Sequence, residues 1–303
     1  MQLFPKKLSQ IYLVLFVSAF LTITGNFTFF QKTLLVYPLS ENWLFLGSLF
    51  FFLFTFLAAL LLLFCYRVTT KPILMVLLMI SAIVSYSTNN YGIVFDHNMI
   101  LNTFETDTSE FLDLVSFKSI LYFFIFGLLP SIFVLKVKLK KISFKAQLWE
   151  RIKTFLVLVI IFVIIVLTFS KHYSSFAREN RDLRLYITPT YYLYSATKFV
   201  DSKFATSTKP FKEIGLDAKL NKKSDKRRLV ILVVGETARA DHMSLNGYDR
   251  NTNPYLEKEE IISFDKMTSC GTDTALSVPC MFSLLDRSSY NHAKGKNMSN
   301  VLD

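Results

Sequence analysis

LFLGSLFFFLFTFLAALLLLFC, residues Leu44–Cys65, is an apolar run without a single charged side chain. A helix needs roughly 20 residues to cross the hydrocarbon core of a bilayer, so this run predicts a transmembrane helix. Hydrophobic residues make up 52% of the 303-residue chain and 31 residues are Phe, which is too apolar for an ordinary soluble domain. We therefore expect an α-helical membrane bundle of five transmembrane helices, formed by this run and four further segments: Ile11–Phe30, Ile73–Phe95, Ile120–Leu135 and Phe155–Phe169.

The net charge of +11 would also suit a nucleic-acid-binding protein, but many of the cations flank the apolar segments, where they act as topology signals. Lys6 and Lys7 precede the first segment, and Arg67 and Lys71 lie between the second and third. A third group lies between the fourth and fifth: Lys136, Lys138, Lys140, Lys141, Lys145, Arg151 and Lys153. The positive-inside rule then places the N-terminus in the cytoplasm, and five crossings deliver residues beyond about 171 to the outer side. We expect membrane lipids as partners and no nucleic acid.

Composition divides the chain into three parts. Residues 1–171 form the transmembrane domain. Residues 172–227 are polar and mixed, which is typical of an interfacial bridging helix followed by a linker. Residues 228–303 open on LVILVV (Leu229–Val234), a run of β-favouring residues that indicates a strand buried on both faces of a parallel sheet. The last part is therefore predicted to be the start of an outer α/β domain.

Glu236 follows this predicted strand directly. Sites in open α/β sheets collect at the carboxyl ends of strands, so Glu236 is a candidate metal ligand. Its other interpretation is a helix cap or an ion-pair partner of Arg239. Residues 237–246 are predicted to form the next helix, where the adjacent Asp241 and His242 point about 100° apart. Joint chelation is awkward in that geometry, so we expect this pair to face solvent or pack locally.

A Thr-rich turn lies in TSCGTDTALSVPCMFS (Thr268–Ser283), between a predicted strand at Ile261–Thr268 and a predicted helix at Thr274–Leu285. A hydroxyl at a helix start can serve as a nucleophile, and the N–H groups there favour an anion such as a phosphate. Thr274 is the candidate, with Ser277, Thr272 and Thr268 as rivals. The alternative is that the turn only caps the helix.

The cysteines and one acidic loop complete the candidate residues. Cys65 ends an apolar segment and is expected to be an inert buried thiol. Cys270 and Cys280 would pair in an oxidising compartment; the alternative is two free core thiols. Asn102, Thr106 and Glu110 recur every four residues in the loop from 96 to 113, so a helix would align them. That loop is either a solvated acidic turn or a pocket for a cationic headgroup.

The chain resembles the phosphoethanolamine–lipid A transferases, a family that includes the mobile colistin-resistance enzymes. The resemblance is carried by VVGETARADHMSLNGYDRNTNPYL (Val233–Leu256) and SCGTDTALSVPCMFS (Ser269–Ser283). LNTFETDTSE (Leu101–Glu110) and LRLYITPTYY (Leu183–Tyr192) add support. The resemblance implies an outer domain of the alkaline-phosphatase and sulfatase type, in the periplasm of a bacterium and anchored in the inner membrane.

The resemblance also implies roles for single residues. Glu236 matches a zinc ligand, and Thr274 matches the nucleophile that also contacts the metal. Thr272 matches a position near the phosphoethanolamine group, and Cys270 and Cys280 match a structural disulfide. The loop residues Asn102, Thr106 and Glu110 match positions implicated in binding the ethanolamine of the donor.

The implied reaction is ping-pong. Thr274 takes phosphoethanolamine from phosphatidylethanolamine and passes it to a phosphate of lipid A, which lowers the negative surface charge and weakens the binding of polymyxins. The alternatives are a phosphoethanolamine or phosphoglycerol transferase with another envelope acceptor, and a non-catalytic membrane module. The family's remaining zinc ligands lie beyond residue 303, so we expect an N-terminal fragment that is inactive alone, since a zinc site needs three or four protein ligands.

Overall fold

A computed structural model of the chain describes residues 7–105, 112, 114–204, 211–219, 229–235, 238–264, 266–272, 274–295 and 297–302. The chain divides into two compact units, Met1–Phe204 and Ala205–Asp303. Helices of the first unit are α1 (Gln10–Thr24), α2 (Phe27–Val36), α3 (Leu39–Phe64), α4 (Thr70–Tyr91), α5 (His97–Glu105), α6 (Phe117–Lys136), α7 (Phe144–Thr168), α8 (Ser170–Glu179) and α9 (Thr190–Phe204).

Four of these helices, α3, α4, α6 and α7, are each long and apolar enough to cross a membrane. The bent pair α1 and α2 adds a fifth span if the two helices are counted as one. The prediction of a helical membrane protein is therefore confirmed. The predicted Ile73–Phe95 segment stops earlier as a helix, because α4 ends at Tyr91. The next residue, Gly92, has a φ of 69°, which lies in the left-handed region.

The first predicted segment, Ile11–Phe30, is wrong as a straight helix. The axes of α1 and α2 differ by 54°, and Gly25 and Asn26 separate them. Asn26 is 2% exposed, and its side chain binds the backbone of Thr188, which follows the 3₁₀ helix Arg181–Tyr186. The bend is thus fixed by a distant part of the same unit.

A second polar cluster joins the first and last spans. The Gln10 side chain is buried; its Nε2 donates to the carbonyl of Cys65 at 2.7 Å and to Thr70 Oγ1 at 2.5 Å. Nε2 of Gln147, in α7, donates to Gln10 Oε1. Nearby, Nη2 of Arg151 donates to the carbonyl of Leu62. Hydrogen bonds between helices in an apolar setting hold them in one register. Cys65 itself is a buried free thiol, as predicted.

The second unit contains two helices among its described residues, α10 (Thr274–Met281) and α11 (His292–Gly295). The predicted helix over 237–246 is wrong, since Ala240–His242 and Ser244–Asn246 form 3₁₀ turns. The described part of the unit contains no strand, and its one β-bridge joins Lys212 and Met298.

The apolar run Leu229–Val234 is exposed, with Leu229 at 86% and Val233 at 83%. A strand is defined by hydrogen bonds to a neighbour, and the described residues supply none for this run. The strand, and with it the α/β start, stays a prediction.

Candidate catalytic threonine and its surroundings

Thr274 is the first residue of α10, and its side chain is exposed. The predicted helix over Thr274–Leu285 is confirmed in its start and is shorter at its end, Met281. A helix of this kind presents backbone N–H groups that lack helical partners at its first turn, which is where a phosphate group is favoured. The hydroxyl of Thr274 therefore lies where a nucleophile could meet a phosphoryl group.

A disulfide closes the loop that carries this helix start. Cys270 and Cys280 are bonded, with their Cα atoms 6.3 Å apart, and Cys280 is 6% exposed. The bond ties the residues before the helix to its last turn. Thr272 lies inside the closed loop and is exposed. The structure thus brings Cys270, Cys280, Thr272 and Thr274 together in the second unit.

Gly271 is a residue that the sequence reasoning missed. A Cβ atom at this position would collide with the Leu276 side chain on α10. The loop therefore lies so close to the helix that a larger residue would push it away. The loop also carries Cys270. The hydroxyl of Ser269 donates to the Gly271 carbonyl at 2.6 Å and accepts from the Gly271 N–H at 3.3 Å. The Cys-Gly dipeptide beside a predicted helix start was the available signal.

The rivals for the nucleophile differ in position. Ser277 lies inside α10 and is half-buried, so it is not at the helix start. Thr268 is exposed but lies outside the loop that the disulfide closes. Thr272 and Thr274 are the two hydroxyl groups next to the first turn, and only Thr274 belongs to the helix.

Asp241 and His242 pack locally, as predicted. Arg239 donates from Nε and Nη2 to the two Asp241 carboxylate oxygens at 3.0 and 2.6 Å. Nδ1 of His242 lies 3.0 Å from Asp241 Oδ1. The Arg239 hydrogen bonds, and after them the His242 contact, lower the pKa of Asp241 to about 2. Arg239 therefore has Asp241 as its partner among the described residues.

A metal ion has no complete ligand set in the part of the chain that the structure describes. No group of three or more His, Cys, Asp or Glu side chains lies together there. Glu236 lies outside the described residues, and so do Thr106 and Glu110. A zinc site takes three or four protein ligands, so the described donors alone do not fit one.

Asn102 is the described member of the predicted headgroup site. It lies half-buried on α5, in the first unit, whereas Thr274 belongs to the second. Helix α5 packs against α9 through the stacked rings of Phe104 and Phe199, whose centroids are 5.2 Å apart. The acidic loop therefore begins with a helix that is held in place, not with an irregular turn.

Comparison with known proteins places the two parts of the chain in two families. Residues 53–204 match the family "phosphoethanolamine transferase EptA/EptB", and residues 228–303 match the sulfatase family. The chain is 39% identical to phosphatidylethanolamine transferase Mcr-1 of Escherichia coli, over 99% of this chain and 57% of that protein. It is 30% identical to phosphoethanolamine transferase EptA of Salmonella typhimurium, over 98% of this chain and 55% of that protein.

A solved structure is also similar. The integral membrane protein lipooligosaccharide phosphoethanolamine transferase A (EptA) from Neisseria meningitidis matches with a TM-score of 0.88 and 30% identity, over 98% of this chain and 56% of that one. The chain spans about half the length of the curated relatives it matches. Because the first family match extends over half of the chain, the protein belongs to the phosphoethanolamine transferase EptA/EptB family.

Proposed function

We propose that the protein transfers phosphoethanolamine from phosphatidylethanolamine to a phosphate of lipid A, through a phosphoethanolamine–threonine intermediate at Thr274. The observation that carries the proposal is the exposed Thr274 at the first turn of α10, inside a disulfide-closed loop, in a chain that belongs to this transferase family. The names of the relatives, phosphatidylethanolamine and phosphoethanolamine transferase, support the donor.

In the first half-reaction the Thr274 hydroxyl oxygen attacks the donor phosphorus. The bond from phosphorus to the glycerol oxygen breaks, diacylglycerol leaves, and the hydroxyl proton ends on that oxygen. In the second half-reaction an oxygen of a lipid A phosphate attacks the same phosphorus. The bond from phosphorus to the Thr274 oxygen breaks, and the proton that the phosphate gives up restores the Thr274 hydroxyl. The N–H groups at the start of α10 would stabilise the negative charge on the phosphoryl oxygens in both steps.

Zinc is the proposed metal, with Glu236 and Thr274 as two of its ligands. The match to the sulfatase family, whose members typically use metal-dependent catalysis, supports this part of the proposal. When bound, zinc would depress the pKa of the threonine hydroxyl and polarise the phosphoryl oxygen.

The donor headgroup would bind at Asn102, Thr106 and Glu110, with Thr272 near the phosphoethanolamine group on the catalytic side. An ethanolamine ammonium suits a carboxylate and neutral oxygen acceptors, which these side chains offer. Asn102 lies on helix α5, and this supports the interpretation as a binding surface rather than as a solvated turn.

The proposed setting is the bacterial inner membrane, with a cytoplasmic N-terminus. Residues 1–171 would form the membrane domain, residues 172–227 an interfacial bridge, and residues 228–303 the first part of a periplasmic α/β domain. The distribution of Lys and Arg between the apolar segments supports this orientation. Transfer of ethanolamine cations to lipid A would protect cells against polymyxins.

The test compares hydroxyl variants in cells that carry the full-length gene. Thr274→Ala should abolish modified lipid A in mass spectra of extracted lipid, and Thr274→Ser should retain part of it. Ser277→Ala, one turn into the same helix, is the matched control and should leave modification in place. Modified core sugar with unmodified lipid A would instead assign another acceptor, and full modification by Thr274→Ala would refute the proposed nucleophile.

A further inference from the structure

A cavity of about 450 Å³ lies within the first unit, between α2, α3, α7, α8 and the 3₁₀ helix Arg181–Tyr186. This volume is in the range of small-molecule sites. Its lining has two parts, an apolar wall and a cationic rim. None of the lining residues has a role in the proposed transfer reaction, so the inference stands apart from it.

The apolar wall is part of a packed cluster. Phe29 is 0% exposed, Leu49 2% and Leu53 5%. The ring of Phe29 meets that of Phe176 edge-on, with the centroids 6.3 Å apart. These side chains form the packed floor beneath the cavity. Its accessible apolar surface comes from the half-buried Phe52 and Val166 and the exposed Ala177.

The rim carries two arginines. Arg181 and Arg184 both line the cavity, and they stand three residues apart on a 3₁₀ helix, where side chains at this spacing eclipse one another. Neither forms an ion pair with a carboxylate among the described residues, although Asp182 lies between them in the chain. The neighbouring Glu179 pairs with Arg178 instead, at 3.4 Å. Two arginines thus line one cavity, and neither has a carboxylate partner among the described residues.

The cavity lies beside the end of the apolar run of α7, and the end of a membrane-spanning helix is where headgroups are expected. Val166, in the last turn of α7, lines the cavity, and the apolar run of that helix ends at Thr168. Lys171 and the polar helix α8 follow. An acyl chain would therefore reach the apolar wall while its phosphate stayed at the rim.

We propose that this cavity binds one anionic phospholipid, with an acyl chain against Phe52, Val166 and Ala177 and the phosphate between Arg181 and Arg184. Arginine recognises phosphate through paired, charge-assisted hydrogen bonds. A zwitterionic headgroup fits less well, because its ammonium would lie near two guanidinium groups. The ligand class is thus a lipid whose headgroup has a net negative charge.

The test measures which lipid the full chain retains. The purified protein is incubated in mixed micelles with equal amounts of phosphatidylglycerol, phosphatidylethanolamine and phosphatidylcholine, isolated by size exclusion, and its bound lipid is quantified by mass spectrometry. We expect about tenfold more phosphatidylglycerol than either zwitterionic lipid. Arg181→Gln/Arg184→Gln should remove this preference, whereas Arg178→Gln, which removes one neighbouring charge outside the cavity, should keep it.

Further experiments separate the contribution of the acyl chain from that of the phosphate headgroup. Ala177→Trp fills the cavity while both rim arginines remain, and it should lower retention of all three lipids. Soluble glycerol 3-phosphate should not displace the bound lipid at equal concentration. If the double variant elutes as an aggregate, the salt dependence of wild-type retention decides, and a preference unchanged by high salt contradicts the proposal. Equal retention of the three lipids, a preference for phosphatidylethanolamine, or an unchanged preference in the double variant each overturns it.

Discussion

Asn26 and Thr188 form a reciprocal pair of hydrogen bonds across 162 residues of chain. Asn26 Nδ2 donates to the Thr188 carbonyl at 2.8 Å, and the Thr188 N–H donates to Asn26 Oδ1 at 2.9 Å. The two residues are 2% and 6% exposed, so water does not replace these bonds. A third bond joins Nδ2 to the Leu21 carbonyl in the last turn of α1, at 3.1 Å. One side chain therefore fixes both the bend and the segment before α9.

Asn26→Ala should destabilise the bundle by about 2–4 kcal/mol, because it leaves buried N–H and C=O groups without partners. Thermal unfolding of the protein in detergent, followed by circular dichroism, measures the loss. The matched control is Asn42→Ala, whose hydrogen bond to the Pro38 carbonyl at 3.2 Å is exposed. We expect a change within about 0.5 kcal/mol there. Equal losses in the two variants would contradict the role of the Asn26 pair.

Substitution by Ala should lower the stability of the protein at Gly127 but not at Gly47. A Cβ atom at Gly127, in α6, would lie 3.1 Å from Ala82 Cβ on α4, whereas one at Gly47 in α3 would meet nothing within 4 Å. Gly127→Ala should therefore cost about 1–3 kcal/mol through overpacking, and Gly47→Ala should not destabilise. The same unfolding measurement tests the pair. Adding Ala82→Gly to Gly127→Ala should recover part of the loss, and full additivity of the two changes would disprove the contact.

Removal of the disulfide should loosen the candidate site. The bond closes a loop with a sequence separation of 10, and such a loop restricts the unfolded chain by about 3 kcal/mol. Cys270→Ser/Cys280→Ser should speed tryptic cleavage at Lys266 and Arg287, read by mass spectrometry of the peptides. Cys65→Ala, which removes the free thiol and keeps the disulfide, is the control. Cleavage as slow as in the wild type would show that the loop is held by other contacts.

Asp241 should remain ionised well below the usual range of a carboxyl group. Its pKa falls from 3.8 to about 2 through the Arg239 and His242 contacts, so the folded state favours the carboxylate. The stabilisation is then present above about pH 4 and is lost as the pH falls toward 2. Carbon NMR of labelled aspartate follows the titration. Arg239→Gln should raise the pKa of Asp241 back toward 3.8, and the control Arg250→Gln should leave it unchanged. An unchanged pKa in Arg239→Gln would show that Arg239 does not cause the shift.

The membrane part of the fold was largely predictable. In hydrocarbon a chain must pair its own backbone N–H and C=O groups, and a long apolar run such as Leu44–Cys65 does so as a helix. The break in the first segment was not predicted, although Asn26 was a visible signal within an apolar run. Its effect depends on Thr188, and a partner that far along the chain leaves no trace in local periodicity.

The candidate site was predictable where it is local. The start of α10 at Thr274 and the pairing of Cys270 with Cys280 are properties of one short segment. The cavity rim at Arg181 and Arg184 was not singled out, because its apolar wall comes from α2 and α3, far away in sequence. At Leu229–Val234 the sequence predicts a strand, and the described residues show no strand there. β-Propensity describes how well a residue suits a strand, but hydrogen bonds to a neighbour make the strand.

The Gln10 cluster has a consequence in time. Gln10 lies in α1, whereas its partner Thr70 follows 60 residues later and its partner Gln147 137 residues later. At about 5–20 residues per second, the wait for Gln147 lasts roughly 7–27 s. During that interval Oε1 of Gln10 needs another donor, such as water at the end of α1. Completion of the cluster therefore has to wait until the start of α7 has been made.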